Sequence, residues 1–325
     1  MHVAQINFIP APAGIAPEAL FDHWPSLSNI ADAAAAGDVR VSVIQSAARE
    51  ALIERSGVAY RFLPLDGDKG IRRVAAELDR LGVSAIHVHG LDQARHAYAL
   101  SRLLPSLPIR IQDHANRPPR WWRRSQWRRW YAAASSITFT SMALARPFLD
   151  ADLFDRSTRL CAVPESTTRF TPGDRTAARL ENGLHGRPCV VSIGHLDANK
   201  DPLTLLDGVA RAVRELPGLQ LWCAYGNAPL LDAVRERIAN DTVLASRVHL
   251  IGPVPHARVQ GLLRAADVFV SASHAEGCGY AAMESIACGV APVLTDIPAF
   301  RTLTDDGRLG RLWRPGDADG LADAL

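Results

Sequence analysis

The sequence predicts an α/β protein of two doubly wound, Rossmann-like domains facing across a cleft. Three observations predict it. A length of 325 residues is about two domains' worth at roughly 150 residues each. Short apolar runs alternate with longer amphipathic stretches from end to end. That alternation breaks once, around residues 164–188, in a stretch holding Ser166, Thr167, Thr168, Pro172, Gly173, Asn182, Gly183 and Gly186.

Strands are expected at His2–Phe8, Val39–Gln45, Ala59–Leu63, Ala85–His89, Ile109–Gln112, Ile137–Thr140 and Leu160–Val163. After the break they are expected at Cys189–Gly194, Leu219–Ala224, Val248–Ile251, Val268–Ala272 and Ala291–Leu294. Helical patterns lie between them, as at Ile71–Leu81, Leu203–Val213, Leu230–Ile238 and Val259–Ala265. Leu203, Leu206, Val209, Ala210 and Val213 recur at the 3/4 spacing of one apolar helix face. Apolar strands joined by helices argue for parallel sheets covered on both faces. The expected domains are 1–170 and 188–325, with 171–187 as the connection. The chain stops at Leu325 inside a helix that opens near Asp317, so the second domain is expected to be incomplete at its end.

Composition excludes several classes. Hydrophobic residues make up 48% and charged residues 22%, ordinary values for a globular chain. No apolar run approaches the roughly 18 residues of a membrane span. Met1–Phe8 lacks the basic start and long apolar centre of a signal peptide, so a cytoplasmic location is expected. Five cysteines without C-x-x-C spacing read as small buried hydrophobes, not as a disulfide framework or a zinc ribbon. The net charge of +2 does not indicate a nucleic-acid partner. It hides one basic segment, Arg117–Tyr131, with arginines 117, 120, 123, 124, 128 and 129 and no acid. Lysine occurs only as Lys69 and Lys200.

The G-x-G-x-x-G, G-x-x-x-x-G-K-[ST] and G-x-S-x-G signatures are missing. Asp-x-Asp pairs occur at 66/68, 150/152 and 317/319, in loops or helix starts where Asp is the ordinary turn or cap residue, so no metal is expected.

The informative segment runs from Val268 to Gly289. It reads as strand, tight loop and helix. Gly277 and Gly279 allow a sharp turn, and the helix after them offers backbone N–H groups and the positive end of its dipole to a phosphate. Glu276 falls in the loop and Glu284 about a turn into the helix, placed to reach opposite ends of one ligand. Carboxylates accept paired hydroxyl hydrogen bonds, as sugar and ribose rings offer. Ser273-x-x-Glu276 also fits a helix capping box, and Glu284 also fits a solvated helix residue. A second strand–loop–helix unit, Val190–Leu206, puts Lys200 just ahead of a helix that opens at Pro202. A cation there can neutralise a departing phosphate.

Together these segments resemble the retaining GT-B glycosyltransferases of family 4, the glycosyl transferases group 1. Glu276 and Glu284 match that family's E-x7-E motif, and Gly194–Lys200 matches its G-R-L-x-x-x-K loop with His195 in place of the arginine. Ala162–Pro172 resembles its interdomain segment. The resemblance implies transfer of a sugar from a nucleotide-diphosphate donor to an acceptor hydroxyl, with retention and without metal or other cofactor. It implies that Glu276 binds donor-sugar hydroxyls, that Lys200 stabilises the β-phosphate and that Glu284 binds the ribose. The amides of Gly277, Cys278, Gly279 and Tyr280 would hold sugar and diphosphate. His195 and the first-loop Gly14 would approach the diphosphate, His114 the donor sugar, and Pro253 and Val254 the nucleobase. With histidine for arginine at 195, reduced or pH-dependent turnover is expected. The implied acceptor is a glycan or lipid-linked hydroxyl. A weakly active relative that only binds nucleotide sugar, and a nucleotide-sugar epimerase of the same fold, are the alternatives.

In Arg117–Tyr131 the tryptophans 121, 122, 130 and 127 fall at about 0°, 100°, 180° and 240° around a helix, with arginines interleaved. The segment is expected either to touch an anionic membrane surface peripherally or to pack some tryptophans inward with arginines along the rim.

Overall fold

The computed structural model describes residues 1–24 and 26–325. The chain divides into two compact units, Met1–Thr167 and Thr168–Leu325.

The first unit is built on the strands β1 (His2–Asn7), β2 (Arg40–Ser46), β3 (Ala51–Arg55), β4 (Val58–Leu63), β5 (Ala85–His89), β6 (Ile109–Gln112), β7 (Ser136–Phe139) and β8 (Arg159–Ala162). They form one sheet in the order β3-β4-β2-β1-β5-β6-β7-β8. Every pairing is parallel except β3 with β4. Helices cover the sheet because each presents one apolar stripe. In Gly67–Leu81 the buried residues Ile71, Val74, Ala75 and Leu78 follow the helical period. The strand order reverses between β1 and β5, which makes their carboxyl ends the place where such sheets bind ligands.

Two strands lie outside the predicted set. The hairpin β3–β4 turns on Ser56 and Gly57, both with positive φ (51° and 76°), the geometry that twists with its flanking strands. The other is an edge strand of the second unit.

That unit contains β9 (Cys189–Gly194), β10 (Gln220–Tyr225), β11 (Val248–Gly252), β12 (Val268–Ser271), β13 (Ala291–Thr295) and β14 (Arg311–Trp313). Its sheet is parallel throughout, in the order β11-β10-β9-β12-β13-β14. The order reverses between β9 and β12. The core splits over the two faces of the sheet, one side centred on Phe269 and Phe300, the other on Leu206, Val209 and Leu221. The final helix, Ala318–Ala324, buries Leu321 in the second of these.

Residues 171–187, expected as a connection, are part of the second unit. The helix Arg175–Asn182 packs on the helix His256–Ala265. Arg175 and Arg179 reach Asp267 at 3.1 and 2.6 Å, and Asp267 also accepts the Cys189 N–H. The alternation of the sequence pauses there because this helix has one buried residue, Ala178, and is held by charge.

Candidate functional site

In the second unit the polar side chains gather where the strand order reverses. The loop after β9 runs from His195 to Asp201. Asp197 accepts the N–H groups of Asn199 and Lys200 at 3.0 and 2.9 Å, which folds the loop into a turn. Asp201 caps the helix Pro202–Ala212. The loop after β12 is strapped to it. Asn199 donates to Ala275 O (3.0 Å), accepts from Ala275 N (3.1 Å), and its carbonyl accepts from His274 N (2.8 Å). Asp201 accepts from His274 Nε2 at 2.9 Å. This strap aligns Lys200 Nζ with Glu276 Oε1 in an ion pair. Both side chains are largely covered, 26% and 14% exposed, so their attraction is little screened.

Gly279 follows with φ +71° and opens the helix Tyr280–Ala287, which has no side-chain cap. A Cβ at Gly279 would stand 2.5 Å from Phe300 Cε1, so only glycine fits. Because the helix begins at Tyr280, Ser273 and Glu276 do not form a capping box; Ser273 Oγ lies 3.0 Å from Ser271 Oγ instead. Cys278 is buried at 1% exposure.

Glu284 is not a solvated helix residue. It is 5% exposed and accepts a 2.6 Å hydrogen bond from His256 Nε2. That bond outweighs burial and raises the His256 pKa above its usual value. The His256 ring stacks on Phe170 at 5.1 Å. Pro253 and Val254 lie between β11, which ends in Gly252 at φ +86°, and the helix that starts at His256. Sequence reasoning missed His256 and Asn199. Their only local signals are a helix start after Pro255 and an amide in a loop.

His195 is exposed, and its Nδ1 accepts the Asn227 N–H at 3.1 Å. That bond places the proton of the neutral ring on Nε2.

The other candidates lie in the first unit. Gly14 sits in the loop after β1 with φ +80° and open space around it. His114, just beyond β6, has Nε2 3.2 Å from His89 Nδ1 and Nδ1 3.0 Å from Glu165 Oε2. Burial pushes His89 well below the ordinary histidine range and His87 down to about 3, so both rings are neutral at pH 7. Burial also pushes Asp113 up to about 6. His89 and His114 line a cavity of about 280 Å³ that also reaches Asn7, the last residue of β1.

Four of the six Asp-x-Asp carboxylates are engaged elsewhere. Asp150 pairs with Arg146, Asp152 with Arg128 and Asp319 with Arg211, while Asp317 caps the last helix. Of the tryptophans in the basic segment, Trp127 and Trp130 pack on the first-unit core. Trp121 and Trp122 are 75% and 56% exposed. Among the described residues, no two cysteines form a disulfide. Among the described residues, no helix is long and apolar enough to cross a membrane.

Two successive doubly wound units, the second with a strapped Lys–Glu pair beside a glycine-led helix start, define the GT-B class of fold. Residues 187–325 match the family described as glycosyl transferases group 1. The chain is 31% identical over 202 residues to the D-inositol 3-phosphate glycosyltransferase of Nocardia farcinica, covering 60% of this chain and 45% of that protein. It is 35% identical over 165 residues to the enzyme of that name from Geodermatophilus obscurus, covering 48% and 37%. The chain thus spans less than half the length of these curated relatives. Among solved structures it is similar to sucrose-phosphate synthase from Thermosynechococcus elongatus (TM-score 0.71, 19% identity, 99% of this chain and 88% of that one). It is equally similar to Anabaena Alr3699/HepE in complex with UDP (TM-score 0.72, 18% identity, 99% and 88%).

Proposed function

We propose that this protein is a retaining, metal-independent glycosyltransferase that moves a sugar from a nucleotide-diphosphate sugar to an acceptor hydroxyl. The observation that carries the proposal is the meeting of Lys200 and Glu276, 76 residues apart, beside the Gly279 turn. One binding event can use both groups. A diphosphate takes the Lys200 ammonium and the amides of the helix start. The sugar hydroxyls donate to the released Glu276 carboxylate, and the ribose hydroxyls to Glu284. As the bond between the anomeric carbon and the β-phosphate oxygen breaks, charge grows on that oxygen next to a fixed cation and a helix dipole. The new bond forms from the anomeric carbon to the acceptor oxygen, whose proton leaves with the diphosphate. Cys278 and Tyr280 contribute through their backbone, and Pro253 and Val254 border the base.

A thermal-shift panel with UDP, GDP and ADP and their sugar conjugates, on wild type and Glu284→Ala, tests the reading. A ligand at 100 times its Kd stabilises by about 2.7 kcal/mol. A shift with one nucleotide, lost in the variant, is the expected result. No shift with any of them overturns it. Proton NMR of the product's anomeric centre then reads retention.

The same proposal includes peripheral contact with an anionic membrane through Arg117–Tyr131. Its support is the outward Trp121–Trp122 pair, with the Arg120 guanidinium 5.3 Å over the Trp122 ring.

A further inference from the structure

The first-unit cavity lies at the carboxyl ends of β1 and β5, where the order of that sheet reverses. It is a position at which doubly wound sheets bind ligands. Ile9, Trp24, Leu27 and Ile30 supply the apolar part of its lining. Gln5, Asn7 and the two histidines already described supply the polar part, and Asn7 Oδ1 accepts the Ile9 N–H at 3.1 Å. Amides and a neutral imidazole both donate and accept, which suits hydroxyl groups. None of the described residues that line the cavity is a lysine, an arginine or a carboxylate. A phosphate there would meet no lysine or arginine, and the lining imidazole of His114 already faces the buried Glu165 carboxylate at 3.0 Å. The volume, about 280 Å³, is just under the ~300–1,000 Å³ of drug-sized sites, so it takes one ring with a short extension.

We infer that this cavity binds an uncharged, hydroxyl-bearing ligand with an apolar or aromatic face, and that it discriminates against phosphorylated polyols. As the acceptor site, which rests on the transferase reading above, it would give this chain a neutral, amphipathic acceptor. The curated relatives, in contrast, are named for D-inositol 3-phosphate.

The test uses the full chain without donor. Saturation-transfer NMR titrations compare phenyl β-D-glucopyranoside with D-myo-inositol 3-phosphate on wild type, Ile9→Lys and Ile30→Lys. Ile9 is 44% exposed, so its replacement leaves the fold intact, and circular dichroism checks both variants. We expect the aryl glucoside to bind wild type at least tenfold tighter than the inositol phosphate. Each added lysine should narrow that ratio at least fivefold. The inference is overturned if the phosphate binds wild type as tightly, if neither lysine changes the ratio, or if no aryl glucoside binds. A protein that takes the aryl glucoside yet shifts with no nucleotide keeps this cavity and loses the transferase reading. One that shifts with a nucleotide and glycosylates only the phosphorylated polyol loses this inference alone.

Discussion

His256 Nε2 and Glu284 Oε1 lie 2.6 Å apart and join the start of one helix to the second turn of another. The bond raises the His256 pKa above 6.5, so folding takes up a proton at this site. Its stabilisation is complete below pH 6.5 and fades as pH rises through the higher folded value. His256→Gln should therefore lower Tm most near pH 6 and leave it close to wild type above pH 8. Calorimetric scans across that range check the sign; a deficit that grows with pH contradicts it.

Lys200 should matter more for turnover than for nucleotide affinity. Removing a preorganised donor from a developing oxyanion costs about 10²–10³ in kcat. Lys200→Met should lose about that much transfer rate with a smaller loss of nucleotide binding. Steady-state kinetics beside a nucleotide titration separate the two. Unchanged kcat would remove Lys200 from the chemistry.

At position 195 arginine should supply a permanent, bidentate cation in place of an exposed imidazole whose Nδ1 is already taken by the Asn227 N–H. His195→Arg should raise the transfer rate at pH 7.5. Identical rates for the two proteins would show that the substitution has no bearing on catalysis.

Gly279→Ala combines a left-handed backbone with a contact against buried Phe300. Each contribution costs about 1–3 kcal/mol. Chemical denaturation should show a loss in that range or above it. Adding Phe300→Leu should recover the contact part only. Full stability in Gly279→Ala would mean that the turn tolerates a side chain.

Trp121 and Trp122 are exposed, so Trp121→Ser/Trp122→Ser should leave Tm unchanged. Wild type should co-sediment with phosphatidylglycerol vesicles at low salt and not with phosphatidylcholine alone. Binding should fall as salt approaches about 0.15 M, where the Debye length is ~8 Å. Equal sedimentation of the two proteins would exclude this face as the membrane contact.

Most strands and the two strand–loop–helix motifs were legible because each is a local pattern. Strands β5, β6 and β9 coincide with their predicted limits. The hairpin turn was also present locally, in Ser56-Gly57, but β3 has no clean alternation; Leu52 is 56% exposed there. Strand β14 spans only three residues, too few for a period. In the basic segment the sequence left the direction of each tryptophan open. The tertiary structure turns Trp127 and Trp130 to the core and Trp121 and Trp122 to the surface.

By itself the sequence determined the alternation of strand and helix, the glycine-led helix start, and the identities of Lys200, Glu276 and Glu284. Composition and short-range spacing carry that information, since a period and a turn residue are properties of neighbours along the chain. Only the tertiary structure decided that Lys200 meets Glu276, that Glu284 is buried on His256, and that His89 joins His114 at a cavity with no lysine, arginine or carboxylate among its described lining residues. Those relationships depend on which strands lie side by side. Strands β9 and β12 are adjacent through a long crossover, and so are β1 and β5. Hydrophobic burial selects such adjacencies over the whole sheet, and no local pattern encodes them.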